Sequence, residues 1–235
     1  MPNVLITGTS KGIGLAAEAE LRARGCTVVG HSTHGGDGRI AADLSVPGAA
    51  EALWAAALEQ LGGRVDVLVN NAGVFTDAPI DGDAEAFRAE WLRTMQINLF
   101  AAADLCRLAL VHFRSRSGGG RLVNLGSRAA HRGDGPPNAH YAASKAAMTA
   151  MTKTYARAHA GQGILAFTVA PGFVMTGMAE EYLASRGGAG VLADIPLGRV
   201  AETDEVAKVI AFCALDAPPS MTGATIDING ASYVR

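Results

Sequence analysis

Tyr141 and Lys145 stand four residues apart in a stretch, 139–160, that reads as a helix, so their side chains share one face. A phenol ordinarily titrates at about 10, and an ammonium held beside it favours the phenolate and draws that value toward working pH. A hydroxyl tuned in this way can give or take the proton of a carbonyl/alcohol pair while a hydride moves on the other side. Ser127 lies fourteen residues before Tyr141, on the turn after an apolar run, and offers a second hydroxyl. A solvent-facing Tyr–Lys pair on an ordinary helix would look the same in sequence. The serine weights the reading toward chemistry.

A second group of residues suits an anion. Thr7-Gly8-Thr9-Ser10-Lys11-Gly12-Ile13-Gly14 follows a strand and opens a helix. Glycines let a backbone approach a phosphate closely, and free N–H groups at a helix start attract negative charge. The spacing is G-x-x-x-G-x-G, and any tight strand-to-helix turn also favours glycine. Asn98, in Gln96-Ile97-Asn98-Leu99-Phe100, is an indifferent helix former inside a long helical stretch. A wet face, a kink and a water site all fit it.

Taken in order, Thr7-Gly8-x-x-x-Gly12-Ile13-Gly14, Asp43-Leu44, Asn70-Asn71-Ala72-Gly73, Asn98, Ser127, Tyr141-x-x-x-Lys145 and Pro171-Gly172 resemble the motif set of the short-chain dehydrogenase/reductase (SDR) family over nearly the whole chain. The resemblance implies a carbonyl/alcohol oxidoreductase with Tyr141 as acid/base and Ser127 bonding the substrate oxygen. Lys145 would tune the tyrosine and hold the nicotinamide ribose, and Asn98 would join a proton relay through ordered water. On the same ground Gly8, Ser10, Lys11, Gly12, Ile13 and Gly14 form the cofactor loop, with Asp43 and Leu44 at the adenine. Asn71, Ala72 and Gly73 pack behind the adenosine half. Pro171, Gly172, Val174 and Thr176 lie on the nicotinamide side, Thr176 at the carboxamide position.

The end of the second strand, with His31, Ser32 and Thr33, separates NAD from NADP. An NAD enzyme usually places an acid there for the ribose hydroxyls, and that acid repels a 2′-phosphate. The matching position looks like Ser32, and neither it nor His31, Thr33 or His34 is acidic. Lys11 adds a cation on the same side, while Asp37 reads more simply as part of a Gly-Gly-Asp-Gly turn. The expected cofactor is NADP(H), with NAD(H) as the alternative. A dinucleotide-sensing protein without chemistry is the competing class, but such relatives typically lose the tyrosine or the lysine, and here every position is filled.

These residues need elements to position them. Short β-branched runs at 3–7, 26–31, 39–42, 65–70, 121–126, 164–170 and 224–228 alternate with helical stretches at 13–24, 47–61, 84–114, 139–160 and 203–215. Several runs are near-continuously apolar, as in strands buried on both faces. The pattern predicts α/β architecture: one doubly wound (Rossmann) parallel sheet of about seven strands with helices on both faces, in a single domain over 1–235. The stretch 173–196 is too long for an ordinary connection. Its Phe173, Val174, Met175, Met178, Tyr182 and Leu183, beside Glu180-Glu181 and before Gly187-Gly188 and Gly190, read as a substrate lid. Arg128, His131 and Arg132 flank Ser127 and offer charge to an anionic or carrier-borne substrate, although exposed arginines would look no different. Ala143, Ala146, Ala147, Ala150 and Met151 give one helix a small-residue surface. Family resemblance implies a homo-oligomer, dimer or tetramer, with Gly230-Ala231 departing mildly from the usual glycine pair.

Composition sets the outer bounds. With 49% apolar and 18% charged residues the chain is no disordered protein. Twenty Lys and Arg against 22 Asp and Glu give net −2, which argues against nucleic acid as a partner. Cys26, Cys106 and Cys213 have no paired spacing, so neither a disulfide framework nor a metal site is expected, and a reducing, cytoplasmic setting suits them. No charged leader precedes the first apolar run, and the apolar stretches read as too short or interrupted to cross a bilayer. The expected partner is a small carbonyl or alcohol. Its identity stays open.

Overall fold

Alternation within the strands decides the layering. In β1 (Asn3–Ile6) Val4 and Ile6 face one side of the sheet and Leu5 the other, and in β4 (Val67–Asn70) Val67 and Val69 oppose Leu68. Strands apolar on both faces need helices above and below. The computed structural model, which describes residues 1–176 and 188–235, has that arrangement. With β2 (Thr27–Ser32), β3 (Ile40–Ala41), β5 (Gly120–Leu125), β6 (Ile164–Pro171) and β7 (Thr225–Ile228), the strands run parallel in the order β3-β2-β1-β4-β5-β6-β7. Each lies within two residues of its expected bounds. This is the doubly wound α/β sheet.

On one face α1 (Gly12–Ala23) and α8 (Thr203–Ala211) bury Ala17, Leu21, Val206 and Ile210 against Ile6, Val69, Val123 and Phe167. On the other, α2 (Ala49–Gln60) and α4 (Ala101–Arg114) bury Leu53, Trp54, Leu105 and Phe113 against Leu5, Leu68 and Leu122. Each fully buried Leu or Phe contributes about 1.5–3 kcal/mol. Further helices are α3 (Ala84–Met95), α5 (Ala129–Arg132), α6 (Ala139–His159) and α7 (Gly188–Ala193).

Two features of these elements matter for the site. The helix expected over 84–114 is continuous, but a π turn at Gln96–Phe100 interrupts its regular hydrogen bonding, centred on Asn98. The link from β2 to β3, residues 33–39, holds no helix, although a parallel crossover normally takes a dozen or more residues. A bridge between Gly36 and Arg39 tightens it instead.

One expectation is corrected. By length and composition Ala84–Arg114 is apolar enough to cross a membrane. In this fold its apolar stripe is spent on the sheet, where Leu105, Cys106, Ala109 and Phe113 are buried. The order of the strands reverses between β1 and β4, and doubly wound sheets bind ligands in the crevice that opens at such a point.

Candidate active site

The loop after β1 and the loop after β4 are stitched together at that crevice. Thr7 Oγ1 accepts from the backbone N–H groups of Asn71 (3.1 Å) and Ala72 (3.0 Å), and Asn71 Nδ2 donates to the carbonyls of Thr7 and Gly8. Gly14 has to be glycine, because a Cβ there would stand 2.0 Å from the Gly8 carbonyl oxygen. Lys11, at the N-cap of α1, makes no side-chain cap, and the first turn carries no acid. The free N–H groups and positive end of a twelve-residue helix therefore open beside a glycine loop. That cradle fits a pyrophosphate. Ser10 and Lys11 are exposed around it, and Ile13 packs partly into the core.

Beneath the loop sits His31, 2% exposed. Its Nδ1 accepts from Gly8 N at 3.2 Å and its Nε2 meets the Ala42 carbonyl at 2.9 Å, which assigns the proton to Nε2. Burial lowers its pKa, the Ala42 bond only partly opposing, so the ring is a neutral buttress for the loop. Ser32 also turns inward and donates to Gly35 O at 3.0 Å, leaving Thr33 and His34 exposed at the strand end. Asp43 closes a local turn by accepting from Ser45 N and Ser45 Oγ, and these bonds lower its pKa. It caps no helix; the N-cap of α2 is Gly48. Leu44 is buried, its carbonyl facing Gln96 Nε2.

The hydroxyl, amine and amide expected to do chemistry converge over the ends of β4 and β5. Ser127, on the turn after β5, accepts from Ala129 N at 3.1 Å, and its hydroxyl lies near enough to the Tyr141 phenol to influence its titration. Phe75 meets the Tyr141 ring edge-on, with centroids 4.8 Å apart. One turn along α6, Lys145 is 4% exposed; its Nζ lies 5.8 Å from the centre of the Tyr141 ring and donates to Leu125 O at 2.7 Å. That carbonyl is its sole acceptor among the described residues. Asn98 clamps the loop after β4: Oδ1 accepts from Val74 N (2.8 Å), while Nδ2 donates to Val74 O (3.0 Å) and Ser144 Oγ (3.2 Å). Ser144 in turn donates to Tyr141 O at 2.7 Å. The extra residue of the π turn aims Asn98 inward. Gly73 lies between, and a Cβ there would stand 3.3 Å from Asn98 Oδ1 and 3.4 Å from Lys145 Nζ.

The electrostatics differ from expectation in one respect. Burial pushes the Tyr141 phenol above its ordinary value; the nearby Ser127 hydroxyl pulls down and the charge of Asp134 pushes up. The lowering expected from the Lys145 ammonium does not prevail over burial. The lysine is itself buried and tied to a carbonyl, and desolvation lowers its own pKa to about 8.

On the substrate side, Pro171 ends β6 and Gly172 packs against Asn229. Val174 bridges to Ala201, and Thr176 Cγ2 faces Gly12 across the cleft. Phe173 and Met175 pack with Val191, Ile195 and Val200. Arg128 and Arg132 both pair with Asp194, at 3.4 and 2.6 Å, and Arg128 lies over the Phe173 ring. His131 stacks on Tyr233. Met178, Glu180, Glu181, Tyr182, Leu183 and Gly187 lie outside the described residues. Val74, Phe75, Ser144 and Leu125 escaped the sequence reading. Two act through backbone atoms and the others carry no motif, so spacing alone could not single them out.

A family sequence profile described as enoyl-(acyl carrier protein) reductase matches residues 8–231. Similar proteins include the 3-oxoacyl-[acyl-carrier-protein] reductases FabG of Vibrio cholerae (34% identical, over 98% of this chain and 96% of that protein), Haemophilus influenzae (34%, 98% and 97%) and Escherichia coli (33%, 98% and 96%).

Proposed function

This chain belongs to the short-chain dehydrogenase/reductase family and is an oxidoreductase acting on a CH–OH/C=O pair with a nicotinamide dinucleotide, and we propose that it is an NADP(H)-dependent ketoreductase with Tyr141 as its proton donor. One observation carries the reading: the Tyr141 phenol lies beside the Ser127 hydroxyl and one helical turn from the buried ammonium of Lys145, whose Nζ is 5.8 Å from its ring centre. Burial keeps the phenol protonated at neutral pH, as a donor to a developing alkoxide must be. Ser127 gives the substrate oxygen a second hydroxyl and steadies its negative charge. Lys145 keeps donors free for a ribose hydroxyl and for the spent phenolate. Asn98, by holding Val74, keeps the floor between Gly73 and Lys145 open for ordered water.

Bound NADP(H) supplies the hydride. Gly8, Ser10, Lys11, Gly12, Ile13 and Gly14 would hold its pyrophosphate, His31 backing the loop. Asp43, Leu44, Asn71, Ala72 and Gly73 line the adenosine half, Pro171, Gly172, Val174 and Thr176 the nicotinamide half. The absence of an acid at Ser32, Thr33 or His34, with Lys11 opposite, favours the 2′-phosphate.

The names of the relatives support a 3-oxoacyl thioester as substrate, and the matching profile supports a second reading, reduction of an enoyl thioester. Two hydroxyls on one oxygen favour the ketone. NADPH consumption with acetoacetyl- and crotonyl-N-acetylcysteamine tests this. Turnover of the acetoacetyl thioester is expected; turnover of the crotonyl compound alone, or of neither, overturns the reading.

One sheet carrying both apolar clusters supports a single domain, and the substrate lid over 173–196 is part of the proposal. A cytoplasmic homo-oligomer is part of the proposal. Leu92, Phe100 and Val111 are 58%, 49% and 61% exposed along α3, the π turn and α4, apolar area that a second copy would cover.

A further inference from the structure

The link between β2 and β3 brings a charge cluster to the adenosine end. With no crossover helix over 33–39, Arg39 folds back toward the glycine loop, and its Nε donates to Thr9 Oγ1 at 2.9 Å and to Glu18 Oε2 at 3.3 Å. Glu18, 6% exposed on α1, also receives Arg22, so the stem of the guanidinium is anchored in a buried ion network. Its outer edge is held differently. Nη1 donates at 3.1 Å to Asp37, whose side chain is 89% exposed, and Nη2 meets no acceptor among the described residues. Arg39 is therefore fixed on the side of the loop and loosely occupied on the side of solvent. Thr9 N bonds His31 O, which puts this edge beside the end of β2, where dinucleotide folds read the ribose 2′ position.

We propose that Arg39 is a specificity-determining residue for the 2′-phosphate, with Asp37 as the carboxylate that this phosphate displaces. The inference rests on the NADP(H) reading above. A planar guanidinium with one edge anchored presents its remaining N–H groups in the geometry that phosphate oxygens match. A surface carboxylate in its place is weakly held and easily surrendered. The four charges Arg22, Arg39, Glu18 and Asp37 balance; release of Asp37 leaves the cluster one positive charge in excess, beside exposed Lys11.

The two partners make opposite predictions. Binding of adenosine 2′,5′-bisphosphate and of 5′-AMP is measured by calorimetry on the unsubstituted chain, Arg39→Met and Asp37→Asn. Asparagine suits the left-handed backbone at position 37 (φ 52°), so that variant keeps the turn. The bisphosphate is expected to bind more tightly than AMP to the unsubstituted chain. Arg39→Met narrows that preference by roughly ten- to a hundredfold, the scale of one charge-assisted hydrogen bond, while AMP binding persists and reports an intact fold. Asp37→Asn widens it by a few fold. If the unsubstituted chain binds both nucleotides equally, the NADP(H) reading itself fails. If it discriminates but Arg39→Met discriminates as well, Arg39 is not the determinant and the inference alone is overturned. The same holds if Asp37→Asn weakens the bisphosphate.

Discussion

The two ends of the cleft are built on opposite plans. Around Tyr141 the polar groups are buried and tied to backbone: Lys145 to the Leu125 carbonyl, Asn98 to both polar atoms of Val74, Ser127 to the N–H of Ala129. At the adenosine end Ser10, Lys11, Thr33 and His34 are exposed, on a loop and a short connection. The buried plan costs stability, since an ammonium with one acceptor pays desolvation, but it fixes geometry before any substrate arrives. The exposed plan fixes little and changes cheaply. On the proposed reading chemistry belongs to the core, and cofactor choice to the rim and the Arg39 guanidinium anchored beneath it.

Lys145→Met should break the buried end most completely. Turnover is expected to fall by at least about a hundredfold. In the unsubstituted protein the ammonium is charged below its pKa of about 8 and neutral above it. Reduction, followed as kcat/KM, should therefore decline as pH rises through that value, and a flat profile across it would contradict the assignment. Stability runs the other way. An unfolded lysine titrates at about 10.4, so between the two values the unfolded chain binds the extra proton and the folded state gains stability with rising pH. Denaturant titrations of Lys145→Met should lack that gain.

Asn98→Leu tests the same end through its scaffold. It strands the N–H and carbonyl of Val74, at a cost of about 2–4 kcal/mol in denaturant unfolding, and turnover should drop by roughly tenfold as the floor beside Lys145 closes. Full activity in a destabilised Asn98→Leu protein would separate the clamp from the chemistry.

The rim should respond more mildly. Thr33→Asp places a carboxylate where the strand ends in solvent, and the NADPH:NADH preference in kcat/KM should shrink by up to about tenfold, less at high salt. An unaltered ratio would mean that position 33 does not face the ribose.

What the sequence disclosed follows the same division. Strands such as Val67–Asn70 announce themselves because burial on both faces forces unbroken apolar runs, and the Tyr141/Lys145 spacing survives because one helical turn is rigid. The π turn at Gln96–Phe100 was visible only as an ill-suited asparagine, because one extra residue per turn leaves no compositional mark. Two of Asn98's three partners are the backbone N–H and carbonyl of position 74, which any residue but proline would supply. The direction of the phenol's pKa is illegible for a similar reason: sequence gives spacing but not burial, and burial dominates both pKa values. Arg39 went unnoticed in Gly35-Gly36-Asp37-Gly38-Arg39, since only the fold brings it to Thr9.

The most direct measurement on the central claim is the turnover of Tyr141→Phe with NADPH and an acetoacetyl thioester, beside NADPH binding followed by its fluorescence. Removing one oxygen should cut turnover by about a thousandfold or more, with the dissociation constant for NADPH within roughly threefold of the unsubstituted value, the change expected for a lost neutral hydrogen bond. Turnover that stays within about tenfold, with the cofactor still bound, would mean that the proton reaches the substrate from another group.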